Sequence, residues 1–290
     1  MSPTEPPTQS TPQNAGLETS PSFRSPGKRP AVIVAMQSEL QHLERRLTPV
    51  ESVNHGPWTT RVMRLPETGS EVILVLAGIG MVNAAAATEF VCDRWTPSMV
   101  LNFGCAGAHT RDLLPGDVVI GTATFHQGAF HVLSDGTTHF PDAEYGVTTE
   151  IVMPNLRPCD PALVDRAGAL TLGWTPDLWP EAFGWPKGIE RRAPKTVLGV
   201  VASADIWTQS PERIDELHAT NRSLCEDMEA AAINRVCGRW GVPFFTAKDI
   251  SNNEYLATSD LIGDIEVLPE SEVGRRAAEV IYRLLAQAAP

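Results

Sequence analysis

The chain has 290 residues, of which 42% are hydrophobic and 20% charged, with a formal net charge of −12. That is a globular composition with enough apolar material for a sizeable core. Its acidity speaks against nucleic acid or an anionic membrane as the main partner, though not against a small anionic substrate in a local pocket. Residues 1–29 are rich in Pro, Ser, Thr and Gln and poor in large apolar side chains. Such a stretch cannot bury enough surface to offset its ordering entropy, so a tail is expected there, followed by one α/β domain over 30–290. The opening MSPTEPPTQSTPQN has no apolar core, so no signal peptide is expected and the cytoplasm is the expected compartment.

Taken in chain order, AVIVAM (31–36) is a continuous apolar run and predicts a buried strand. SELQHLERRL (38–47) has helical spacing, with Leu40, Leu43 and Leu47 on one side. EVILVLAG (71–78) predicts a strand, GMVNAAAATEFVCDRW (80–95) a helix entered through a Gly turn, and SMVLNFG (98–104) a further buried strand. DVVIGTATF (117–125) follows the turn signal Pro115-Gly116, and TVLGVVAS (196–203) is again strand-like. RSLCEDMEAAAINRVCGRW (222–240) predicts a helix closed by Gly241, VPFFTAKDIS (242–251) a strand, and SEVGRRAAEVIYRLLAQ (271–287) an amphipathic helix. Buried strands alternating with helices predict a three-layer α/β sandwich, a mixed central sheet flanked by helices. Residues 173–195, with Trp174, Trp179 and Trp185 among prolines, fit neither pattern; a surface loop with its own aromatic cluster is expected.

In open α/β sheets ligands bind at the carboxyl ends of strands, so the residues just after each strand are the candidates for chemistry. Those places hold Glu39, Gly78-Ile79-Gly80, Gly104-Cys105-Ala106-Gly107, Asp205 and Trp207, and Ser251-Asn252. The 222–240 segment adds Glu226, Asp227 and Glu229 around Met228. Glycosidic cleavage needs such parts: a base for water, acceptors for sugar hydroxyls, a flat surface for a nucleobase and a group facing the leaving base. Gly78-x-Gly80-x-x-Asn83 lacks the third glycine of a dinucleotide fingerprint. The five cysteines are odd in number and form no CxxC pair, and His126, His131 and His139 are too widely spaced for a helical metal pair. Neither metal nor cofactor is expected.

Seven segments in order, AMQSE (35–39), AGIGMVNAA (77–85), NFGCAG (102–107), PGDVVI (115–120), ASADIWTQ (202–209), EDMEAAA (226–232) and VPFFTAKDISN (242–252), resemble the nucleoside phosphorylase/nucleosidase superfamily. The similarity is greatest to the 5′-methylthioadenosine/S-adenosylhomocysteine nucleosidases. It implies a purine nucleosidase that hydrolyses the ribosyl–base bond, with a small-molecule nucleoside as substrate and a homodimer as assembly. By the same resemblance Glu39 activates the attacking water, Glu229 grips the ribose hydroxyls and Met228 packs under the sugar. Trp207 lies against the base, and Ile79, Cys105, Ala106, Gly107 and Asp227 complete the substrate pocket. Cys105 and Ala230 depart from the usual Ser or Thr and the usual Gly. The larger departure is Asn252, where the adenine-specific members have an acidic Asp. An amide cannot be a general acid, but it suits a 6-oxopurine.

The phosphorylases that this chain resembles hold phosphate with arginines, one after the first strand's Gly-rich turn and one just before the third strand's; AMQSELQ and LNFGCAG contain none, so water is the expected nucleophile. A phosphorylase and a non-catalytic nucleoside-binding protein are the alternatives. Keeping both Glu39 and Glu229 argues against the latter.

Overall fold

The computed structural model describes residues 27, 29–145, 152–183, 185–256 and 269–287. The expected tail therefore lies almost wholly outside the described residues. Fourteen strands and six α-helices are seen among them. The chain begins with β1 (Ala31–Val34), α1 (Gln37–Glu44), β2 (Thr48–His55), β3 (Trp58–Arg64) and β4 (Glu71–Leu76). Next come α2 (Met81–Trp95), β5 (Val100–Ala108), β6 (Val118–His126) and the short strands β7 (His131–Val132), β8 (Thr138–His139), β9 (Ala143–Tyr145), β10 (Val152–Pro154) and β11 (Leu156–Pro158). The remainder is α3 (Pro161–Thr171), β12 (Thr196–Ser203), α4 (Pro211–Asn221), β13 (Ser223–Asp227), α5 (Ala230–Trp240), β14 (Phe244–Asn252) and α6 (Arg275–Gln287).

The expected mixed sheet flanked by helices is present. Its main sheet runs β11-β6-β12-β13-β5-β1-β4-β3-β2, and β14 bridges β5 and β6. β5, β14, β6, β12 and β13 therefore close into a ring, from which β1, β4, β3 and β2 extend as an open wing. Helices α1, α3 and α6 pack on one face and α2 and α5 on the other. Apolar residues of β1, β5 and β14 that form the core, and Val72–Val75 of β4, are buried to a few per cent exposure or less, as continuous apolar runs require when both faces are covered. No helix among the described residues is long and apolar enough to cross a membrane.

The segment 222–240 is not one helix. Residues 223–227 form β13, which pairs in parallel with β12 and antiparallel with β5, and the helix starts only at Ala230. Helical periodicity is outweighed because this stretch fills the gap that closes the ring, where its backbone groups find sheet partners. Gly241 ends α5 in the left-handed conformation, as its position predicts.

The Trp-rich segment is irregular, and among the described residues its three indoles do not stack on one another. Trp174, Trp179 and Trp185 each stack with an arginine: Arg283, Arg276 and Arg191 respectively. Trp179 is fully buried, and Arg276 donates to the carbonyls of Asp177 and Leu178, so α6 anchors the segment. His131 and His139, distant in sequence, face each other across the β7–β8 hairpin.

Candidate active site

Most of the residues singled out above line one cavity of about 410 Å³: Glu39, Ile79, Cys105, Ala106, Gly107, Trp207, Glu226, Asp227, Met228, Glu229, Ser251 and Asn252; Gly78, Gly80, Gly104 and Asp205 stand behind its wall. They come from the carboxyl ends of β1, β4, β5, β12, β13 and β14, the end of a sheet where side chains from separate strands can converge.

Glu39 is the third residue of α1 and is 2% exposed. Its Oε2 accepts from the Met36 N–H at 3.2 Å, which caps the helix start, and its Oε1 accepts from the Cys105 N–H at 2.8 Å. Burial raises its carboxyl above the usual range, against the pull of Lys248 and of these hydrogen bonds. The Cys105 thiol also bonds to Glu39, and burial beside that carboxylate lifts the thiol well above its ordinary range, so it stays protonated.

Glu229 stands just before the first residue of α5 and reaches across to the start of α2, where its Oε1 accepts from the Gly80 N–H at 2.9 Å. Gly80 has φ +102°, and a Cβ there would meet Asp205 Oδ1 at 2.8 Å, so the turn that offers this N–H requires glycine. Burial and the charge of Asp227 push the Glu229 carboxyl up to about 7.

Asp227 lines the cavity with its carboxylate committed elsewhere. It accepts from Ser203 Oγ and the Ala230 N–H, and it pairs with Lys248 Nζ at 2.6 Å. Both partners of this pair are almost fully buried. Lys248 also raises no steric wall in the cavity; its part is to offset the charge of Glu39 and Glu229. Sequence reasoning missed it, although a lone lysine inside the apolar run VPFFTAKDIS was the signal.

Glu226, also unassigned by sequence, holds the loop that carries Ile206 and Trp207. It accepts from the Thr208 N–H at 2.7 Å, Thr208 Oγ1 at 2.8 Å and Gln127 Nε2 at 2.7 Å, and shares a 3.2 Å hydrogen bond with His109 Nε2. Burial alone would raise its carboxyl, but these partners hold it below the ordinary range. Asp205 pins the other end of the loop by accepting from the Met81 N–H at 2.7 Å. Trp207 is thus fixed at the mouth, 40% exposed.

Ser251 and Asn252 are adjacent on β14 yet both line the cavity. In a regular strand they would face opposite sides. A register shift between Ile250 and Asn252 re-aims them. Asp249, before the register shift, lies outside the cavity wall and is buried against Arg276.

Fold and cavity together define the class: an α/β protein with a small-molecule-sized cavity where its strands end. The family follows from comparison. A family model described as the Phosphorylase superfamily matches residues 29–289, and the chain belongs to that superfamily, as the seven motifs anticipate. The 5′-methylthioadenosine/S-adenosylhomocysteine nucleosidase of Bacillus subtilis (strain 168) is 33% identical over 227 residues, covering 77% of this chain and 85% of that protein. Among solved structures, the nucleosidase of that name from Neisseria meningitidis, in complex with methylthio-immucillin-A, is 27% identical with a TM-score of 0.65 over 89% of this chain and 97% of the other. Futalosine hydrolase of Helicobacter pylori shares the fold, with a TM-score of 0.68 at 18% identity over 89% of this chain and 97% of the other.

Proposed function

We propose that the protein is a purine nucleosidase, an N-glycosyl hydrolase that splits the ribosyl–base bond with water. The observation that carries this reading is the make-up of the cavity wall. It brings Glu39 and Glu229 together with Glu226, Asp227 and Glu270, and among the described residues that line it none is Arg, Lys or His. Such a wall repels a phosphate dianion and suits a cationic, oxocarbenium-like sugar. The names of the relatives point the same way.

In this reading Glu39 takes a proton from water as the oxygen bonds to C1′ and the C1′–N9 bond breaks, with its electron pair passing to the purine. Glu229 accepts from the ribose hydroxyls and adds negative charge beside the ring. Met228 packs under the sugar, Trp207 covers the base, and Ile79, Cys105, Ala106 and Gly107 shape the pocket. The Asn252 amide donates to the purine without serving as its acid, so the proton that the base acquires comes from solvent. An amide donor favours a 6-oxopurine over adenine. The reading extends to a cytoplasmic homodimer, in which a second copy would cover the exposed Ile79 and Val82 at the start of α2.

The test is to incubate the protein with inosine, adenosine, 5′-methylthioadenosine and S-adenosylhomocysteine, with and without phosphate, and to follow free base by chromatography. Release in phosphate-free buffer is expected, unchanged by added phosphate. Release that requires phosphate would replace the hydrolase with a phosphorylase.

A further inference from the structure

Beside the base end of the cavity stands a carboxylate to which the mechanism gives no task. Glu254 Oε1 accepts from Asn252 Nδ2 at 2.8 Å and from Trp207 Nε1 at 3.3 Å. It thus joins the two residues assigned to the purine, which come from different elements. Its own position is set by the preceding residue in the turn. Asn253, 1% exposed, donates to the carbonyls of Thr110 and Leu113 at 2.9 and 2.7 Å and accepts from the Tyr255 N–H at 3.0 Å.

The two ends of an amide have nearly the same shape and opposite polarity. Asn252 Oδ1 lies 2.9 Å from Ser251 Oγ, which is also 3.3 Å from the Ala106 carbonyl. A hydroxyl can donate or accept, so Ser251 does not decide which end of the amide points where. A carboxylate can only accept. Glu254 therefore dictates that the end facing it is Nδ2. That nitrogen has a second N–H and packs against Gly107, 3.2 Å from where a Cβ would stand, in the cavity wall.

We infer that Glu254 is a positioning residue that locks the Asn252 amide with an N–H toward the base and so sets the preference among purines. The inference rests on the assignment of this end of the cavity to the base. A 6-oxopurine presents two acceptors on one edge, N7 and O6, to that N–H. A 6-aminopurine presents N7 and an amino group, and the amino group meets the amide donor to donor. Residues 252 and 254 act as a pair. An Asp at 252 would set two carboxylates at hydrogen-bond distance, where both cannot ionise together.

Two ratios test this on the wild type, E254A and E254K: the Kd ratio of adenine to hypoxanthine by calorimetry, and the kcat/KM ratio of inosine to adenosine. Neither ratio depends on the fraction of folded protein, and the base-binding ratio is independent of the 5′ group and of turnover. The wild type is expected to favour the 6-oxo compounds. E254A should lose that preference by about tenfold, the worth of one charge-assisted hydrogen bond. E254K should reverse it, because an ammonium only donates and draws Oδ1 to the place of Nδ2. Preference for hypoxanthine that fades and reverses in this series supports the inference even if neither nucleoside is cleaved, in which case the nucleosidase reading alone falls. Ratios within about twofold of wild type in both variants overturn the inference and leave the nucleosidase reading standing. A wild type that binds adenine as well as hypoxanthine overturns it too.

Discussion

At Glu229, burial and the adjacent Asp227 push the carboxyl up to about 7, against the pull of Lys248 and the Gly80 N–H. The folded protein therefore keeps a proton that the unfolded chain, with an ordinary value of 4.5, has released. The stabilisation from that proton is fully present below 4.5 and is lost as the pH rises through about 7. Ribose gripping needs the ionised form, so kcat/KM should climb through a limb near pH 7 and level off above it. The limb belongs to the carboxylate cluster as a whole, since burial raises Glu39 as well. A profile that is flat across this range would contradict the assignment. Replacing the base itself, E39Q should lower kcat by about 100-fold or more while leaving the Kd of a non-hydrolysable nucleoside analogue nearly unchanged. Lys248 belongs to stability as much as to charge. K248M leaves Asp227 buried and unpaired, and about 3–5 kcal/mol should be lost in denaturant unfolding.

The elements differ in how openly the sequence declares them. The apolar runs of β1, β4, β5, β6 and β14 and the amphipathic α6 are legible because one physical signal, burial, dominates each. The same signal delivers the site, since the chemistry-bearing residues sit at the ends of those strands. Helices α3 and α4 carry plain start signals, Asp160-Pro161 and Ser210-Pro211, and in both the first side chain caps the helix. The β2–β3 hairpin is less legible, because its outer strand is mostly exposed and lacks apolar alternation. β13 is illegible for another reason: its pairing partners are far away in sequence, and only closure of the ring makes it a strand. Lys248 and Glu254 stay hidden likewise, and Glu226 is visible without its role, since these roles depend on what stands beside them rather than on motif or spacing. The Trp-rich segment offers a direct test of its anchoring. W179A removes a fully buried indole that packs against Arg276, and a loss of about 3–5 kcal/mol is expected in equilibrium unfolding.

For the whole molecule, closure of five strands into a ring brings loops from both ends of the chain to one cavity, and the open wing adds Glu39 from β1 and α1. The apolar surface near the mouth includes Ile79, Val82 and Ile206, each 47–77% exposed. If a second copy covers it, light scattering after size exclusion should give twice the 31.4 kDa chain mass, and V82E should shift the protein toward monomer. A wild type that stays monomeric at all concentrations would sink the dimer.

The tightest point in the site belongs to a residue with no side chain. A Cβ on Gly104 would stand 2.6 Å from Glu39 Oε1, closer than real Cβ atoms approach. One added methyl group would push the carboxylate from its two N–H partners without altering any residue that performs chemistry. A lineage could therefore retire the enzyme and keep its fold and carboxylates, so a relative with Glu39 and Glu229 intact but alanine at 104 should be read as a binder until assayed. G104A makes that descent in one step: nucleoside cleavage should vanish, while base binding at the Asn252 end, measured by calorimetry, persists.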